Sequence, residues 1–279
     1  MDWSTVAGIG VAGNFTGHLE QAGEAKDFVN VRVKEKNAPK GVFPFYLPNG
    51  SGHFLNTMPM SSSEIRLKNS IDNHQIEPEL ALLCTVAYDE QKVVQITPLQ
   101  AMAYNDCSIR KAGVPKISLK KNWGPCSKGV SEQCIDLDQF SEGGRLDNFN
   151  ITSYLRRGDQ LHQYGLDSPV IGYQYFYSQL IDWLMRVLRE QQDEGPLENM
   201  AEHLRAAGLP NTILVSVGAT KYTAFGEQNF LRENDVAYVV LYDRSRYDEA
   251  TLQNLIETDS YPTVEHISVL KQVVIGPQQ

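Results

Sequence analysis

The stretch HQIEPELALL (residues 74–83) carries Glu77 and Glu79 one residue apart beside a hydrophobic run. On a β-strand, residues i and i+2 share a face. The two carboxylates are then neighbours, with Ile76, Leu80 and Leu82 on the opposite face, and by the same parity His74 points away from the pair. Close carboxylates repel, so four arrangements are open: the face is exposed, a Lys or Arg pairs with each Glu, one Glu keeps its proton, or a cation neutralises both. A hard divalent ion, Mg²⁺ or Mn²⁺, suits carboxylate oxygens and asks for a third oxygen ligand. Downstream, AYNDCSIRK (103–111) holds Asp106 and Arg110, and KNWGPCSKGV (121–130) holds Trp123 and Lys128.

Several elements must position these residues. Glu77 to Val86 reads as a strand, YDEQK as a turn, and VVQI (93–96) as a second strand. TPLQAMAYN (97–105) opens like a helix, with Thr97 as N-cap, Pro98 at the first helical position and Gln100 in the capping-box place. In FYSQLIDWLMRVLREQQ (176–192), Phe176, Leu180, Leu184 and Leu188 recur every four residues and predict the clearest helix. YQYFY (173–177) reads as aromatic core. Residues 193–211 read as a connection with one short helix. Residues 212–218, 235–243 and 267–276 read as strands. Strands outnumber helices and do not alternate with them, which predicts an α+β fold with a large mixed sheet.

The chain has 279 residues, 42% hydrophobic, with a net charge of −9. That balance speaks against a broad nucleic-acid surface. No run reaches the roughly 18 apolar residues of a membrane span, and the first residues lack a signal-peptide pattern, so a cytoplasmic protein is expected. Cys84, Cys107, Cys126 and Cys134 form no CxxC pair, and four reduced thiols are expected. GIGVAG (8–13) fits the dinucleotide-binding pattern G-x-G-x-x-G through Gly8, Gly10 and Gly13. That reading needs a strand before it and a helix after it, and MDWSTVA and HLEQAGEAKDF serve poorly.

With these blocks together, the sequence resembles the fumarylacetoacetate hydrolase family. That family has E-x-E on a strand, an NDxSxR block about thirty residues later, and a Trp-led segment with a Lys about twenty further on. NDCSIR is the most specific match. GVAGNFTGHLEQAG is similar to the family's N-terminal element, with Asn14 and His18 on its Asn and His; GVFPFYLP, ILVSVGAT and FLRENDVAYVVLYD are similar to later elements. The resemblance implies a mixed β-sandwich roll of the family's C-terminal domain type with few helices, as one catalytic domain over 1–279. Residues 1–60 would form a lid region and 189–211 an insertion, in a homodimer. It implies Glu77, Glu79 and Asp106 as metal ligands for Mg²⁺ or Mn²⁺, with Ca²⁺ as a stand-in in crystals. It implies His18, Glu20 and Lys128 as catalytic residues, and Arg110 and Thr220 as substrate contacts. Four positions depart from the family: Gln21 where an acid follows the His, Leu47 in place of a Lys, Gly113 in place of a Gln, and Lys221 in place of a Pro.

Three functions are consistent with these residues. The first is a metal-dependent enzyme of hydrolase, decarboxylase or isomerase type. It would act on a small 2-oxo or β-diketo carboxylic acid, with no nucleic-acid or membrane partner. The second is a diverged member that binds metal or ligand without catalysis, favoured by Gln21 and Leu47. The third, resting on GIGVAG alone, is an NAD-dependent oxidoreductase.

Overall fold

The computed structural model describes residues 2–28, 31, 35, 37–49 and 53–278. Its organising unit is a long hairpin of β6 (Pro78–Asp89) and β7 (Lys92–Asn105), with Asp89 paired to Lys92. Glu90 and Gln91 between them take φ values of 45° and 64°. A two-residue turn with both central residues at positive φ matches the twist of the strands it joins. The predicted helix at 97–105 is instead the second half of β7. Thr97 lies opposite Thr85, and Tyr104 opposite Glu79. The local capping signal loses because this segment is covered on both faces. Ala101 and Ala103 enter one core, and Met102 and Tyr104 the other, a period of two that only a strand provides.

The hairpin is the middle of a mixed eight-stranded sheet. Its order is β2 (Gly41–Tyr46), β1 (Ala7–Ala12), β13 (Thr212–Ser216), β6, β7, β9 (Lys128–Val130) and β3 (Met60–Ser61), with β10 (Ile135–Asp136) also on β7. The β1–β13 and β3–β9 pairs are parallel and the other pairs antiparallel. A second sheet runs β12 (Gln160–Pro169), β11 (Phe149–Arg157), β14 (Val236–Asp243), β15 (Ile267–Ile275) and β4 (Glu64–Arg66). A small ladder joins β5 (His74–Gln75) to β8 (Ser108–Ile109). The helices are α1 (His18–Gln21), α2 (Ser118–Lys121), α3 (Tyr177–Glu190), α4 (Met200–Ala206), α5 (Ala224–Gln228) and α6 (Glu249–Glu257). The fold is α+β with mixed sheets and few helices.

Alternation along the strands sorts the side chains into separate cores. Leu80, Leu82 and Cys84 join Ile151, Leu155, Val239 and Leu241 of the second sheet and Leu180, Leu184 and Leu188 of α3. Ala81 and Leu83 face the other way, toward Phe43, Phe45 and Tyr104. A third cluster packs α6, through Leu252 and Ile256, on Tyr238, Val240 and Tyr242. Gly8 and Gly10 lie inside β1, on the same side as Phe45 and Phe43. A Cβ on Gly8 would meet the Phe45 ring at 2.0 Å, and one on Gly10 the Phe43 ring at 2.3 Å. The first two glycines of GIGVAG therefore lie within a strand and make room for two rings, while Gly13 follows the strand at a φ of 73° beside Leu19 and Lys40. A dinucleotide fingerprint needs its glycines in the turn after a strand, so the NAD reading loses its structural basis. Among the described residues, no helix is long and apolar enough to cross a membrane.

Candidate metal centre

Glu77 and Glu79 share the parity of Ala81 and Leu83, and Asp106 shares that of Met102 and Tyr104. Both sets lie on the sheet face of the phenylalanine core. The open end of the hairpin joins them: the Asp106 N–H donates to the Glu77 carbonyl at 3.0 Å, and the Glu77 N–H donates to Asn105 Oδ1 at 3.2 Å. The three carboxylates are fully buried, and one oxygen from each lies within 4.8 Å of the others.

Their charges are answered unevenly. Glu77 meets Lys121 Nζ at 2.5 Å through Oε2 and Arg110 Nη2 at 2.6 Å through Oε1. Burial alone would raise its pKa, but Lys121 and Arg110 hold it well below the usual glutamate value. Glu79 has no ion pair among the described residues; its Oε2 accepts the Gly218 N–H at 2.9 Å. Burial, with Asp106 and Glu77 close by, pushes Glu79 well above the usual value, which favours its protonated form. Asp106 Oδ2 lies 2.5 Å from Lys121 Nζ, and Oδ1 lies 3.2 Å from Lys128 Nζ. These approaches lack hydrogen-bond geometry, and neither Asp106 oxygen has a hydrogen-bond partner among the described residues.

His18, in α1, faces the same site. Its Nδ1 lies 2.9 Å from the Thr220 carbonyl oxygen. A carbonyl only accepts, so Nδ1 carries the proton and a neutral imidazole leaves Nε2 as a free acceptor. Nε2 lies 3.8 Å from Glu77 Oε1. Glu20 is exposed on the outside of α1, and the carboxylate facing His18 is Glu77. Gln21, in the family's acid position, grips the backbone of Tyr222: its Oε1 accepts the N–H at 3.0 Å and its Nε2 donates to the carbonyl at 3.4 Å. Thr220 supplies its backbone to His18, while its buried Oγ1 has no partner among the described residues.

Arg110 is fully engaged within the protein. Nε donates to Gln75 at 2.5 Å and Nη1 to Glu24 at 2.8 Å, while Nη2 reaches Tyr222 Oη at 2.7 Å as well as Glu77. Lys128 is wholly buried, donates to the Cys107 carbonyl and lies 5.3 Å from the centre of the Trp123 ring. Burial lowers its pKa. His74 lies apart from the triad, as parity predicts: its Nε2 accepts the Lys68 N–H at 2.9 Å. The sequence reading did not single out Lys121, Lys120 or Glu24. Lys120 bonds Glu24 at 3.0 Å and Asp27 at 3.1 Å, tying residues 24–28 over the site. No spacing rule marks these residues, because α2 is a single turn whose direction is set by tertiary contacts.

In ligand type, number and spacing the triad fits a hard divalent ion. Three carboxylate oxygens within 4.8 Å of one another are compatible with opposite ligands about 4.2 Å apart across Mg²⁺ and about 4.8 Å apart across Ca²⁺. The Asp106 oxygens, which have no hydrogen-bond partner among the described residues, and Glu79, which has no ion pair among them, are groups such an ion would satisfy. A cavity of ≈ 20 Å³ between His18, Phe43, Lys121 and the triad has room for one water or ion. Lys121 stands between Glu77 and Asp106, so it has to yield to an ion there.

The chain resembles several solved structures over almost its whole length. It covers 98% of itself and 75% of a 2-keto-3-deoxyarabinonate dehydratase, at 13% identity and a TM-score of 0.56. It covers 97% of itself and 94% of a protein from Yersinia pestis CO92 assigned to the fumarylacetoacetate hydrolase family, at 13% identity and a TM-score of 0.53. With 5-carboxymethyl-2-hydroxymuconate delta-isomerase from Mycobacterium smegmatis, coverage is 98% and 80%, identity 14% and the TM-score 0.52. A comparison with curated protein sequences finds no match. At these identities the likeness is one of fold, and it fits the α+β fold with mixed sheets and few helices that the sequence resemblance implied. A sequence family matches residues 24–274, from Glu24 over the site to the last strand, and the chain thus belongs to the family of unknown function DUF5718.

Proposed function

We propose that this protein is a divalent-metal-dependent enzyme acting on a small 2-oxo or β-diketo acid, with Mg²⁺ or Mn²⁺ as its ion. The observation that carries this reading is the buried oxygen triad Glu77, Glu79 and Asp106, with His18 Nε2 turned toward it. Dehydratase and isomerase names among the structural neighbours support the general kind of chemistry. A divalent ion on the three carboxylates would supply Lewis acidity, polarising a 2-oxo carbonyl and stabilising enolate charge. The chain's own groups would do the rest. His18, fixed in one tautomer by the Thr220 carbonyl, would take a proton at Nε2. Lys128 would hold positive charge behind Asp106. Arg110 would shape the site by bracing Glu77 and Glu24. Because the cavity is ≈ 20 Å³, residues 18–28 would have to move away for a substrate to enter, consistent with a lid within 1–60. The homodimer, the cytoplasmic location, the insertion at 189–211 and the sandwich-roll description belong to the same proposal.

The test is turnover of a panel of 2-oxo and acylpyruvate acids with Mn²⁺ or with chelator. Turnover should require the ion and fall about 10²-fold or more in His18→Ala. Turnover that survives chelation would contradict the reading. A second reading, a diverged binder without catalysis, is favoured by the Lys121 ammonium between Glu77 and Asp106. Ion binding without turnover would select it.

A further inference from the structure

Lys121 Nζ lies 2.5 Å from Glu77 Oε2 and 2.5 Å from Asp106 Oδ2, the two carboxylates that flank the hairpin end. The ammonium is buried and has the Phe43 ring 5.2 Å away. It arrives by construction. Successive residues on a helix turn by about 100°, so α2 sends Lys120 to Glu24 and Asp27 and Lys121 to Glu77 and Asp106. Asn122, just after α2, fixes the end of the helix by donating to the Phe45 and Thr57 carbonyls at 2.8 and 2.9 Å.

An ammonium and a divalent ion cannot share two carboxylates at this range, because both the volume and the charge conflict. We propose that Lys121 is an internal counter-ion that holds the place of the divalent ion, so that ion binding is an exchange in which the ammonium leaves Glu77 and Asp106. This inference rests on the metal-centre reading above. It assigns Lys121 a positioning role, distinct from that of Lys128, which stays behind Asp106. The protein would thereby remain folded without metal, with its ion affinity weakened by the built-in competitor.

Mn²⁺ titration by calorimetry of wild type, Lys121→Met and, as a control at the far end of the hairpin, Lys92→Gln tests this, together with melting curves in chelator and in Mn²⁺. Met keeps an unbranched stem of similar length and removes the charge. The exchange predicts Mn²⁺ binding tighter by about tenfold or more in Lys121→Met, a larger Mn²⁺-induced rise in Tm than in wild type, and little change in Lys92→Gln. If Lys121→Met is unfolded in chelator, recovery of the fold on adding Mn²⁺ supports the exchange, and failure to recover overturns it. Equal or weaker binding in Lys121→Met, or the same gain in Lys92→Gln, overturns it while leaving the metal centre standing. Binding in Lys121→Met but not in wild type supports the counter-ion and removes metal dependence from the natural protein. No binding in any of the three overturns both.

Discussion

Glu77 and Glu79 are chemically alike, one residue apart and equally buried, yet their surroundings drive them in opposite directions. Lys121 and Arg110 hold the Glu77 pKa well below the usual value, while burial beside Asp106 and Glu77 pushes that of Glu79 well above it. The two therefore have opposite linkage to pH. Glu77, depressed in the fold, contributes stability above the usual glutamate pKa of 4.5, and this is lost as pH falls through its folded value. Glu79, raised in the fold, binds a proton that the unfolded chain has released, so the ion-free protein loses stability as pH rises from 4.5 toward the folded value. Glu79→Gln removes that loss and keeps an acceptor for the Gly218 N–H. In chelator, the Tm difference between Glu79→Gln and wild type should grow in favour of the variant between pH 5 and pH 8. Parallel melting curves across that range would show that Glu79 is not strained. Of the alternatives open in the sequence, the paired one holds at Glu77, which has Lys121 and Arg110, whereas Glu79 has no ion pair among the described residues.

The elements that carry these residues were legible where local pattern and tertiary environment agreed. The E-x-E strand, the turn after it, the 3.6-residue stripe of α3 and the three later strands follow from periodicity that the cores then use. At 97–105 local capping chemistry pointed to a helix, and burial on two faces imposed a strand. Lys121 was illegible because a four-residue helix leaves no periodic trace and its partners are far away in the chain. GIGVAG misled for a related reason: Gly8 and Gly10 answer to Phe45 and Phe43 across the sheet rather than to a phosphate. A relay runs from Gly10 through the Phe43 ring to the Lys121 ammonium. Gly10→Ala should therefore cost about 1–3 kcal/mol of stability, seen as a lower urea midpoint. An unchanged midpoint would mean that the Phe43 ring is not tightly held.

Across the whole molecule, two mixed sheets share one core. The centre lies on the opposite face of the larger sheet, closed by residues 18–28 through His18, Glu24 and Asp27. Ions from three directions meet there: Arg110 just after β8, Lys120 and Lys121 from α2, and Lys128 from β9. The fold shared with a dehydratase and an isomerase is less specific than this arrangement, since one fold hosts many activities. The central claim is that the three carboxylates hold one divalent ion, and calorimetric Mn²⁺ titration of wild type against Glu79→Ala tests it most directly. The structure predicts one ion per chain in wild type and none up to millimolar Mn²⁺ in the variant; no binding by wild type, or equal binding by both proteins, would contradict it.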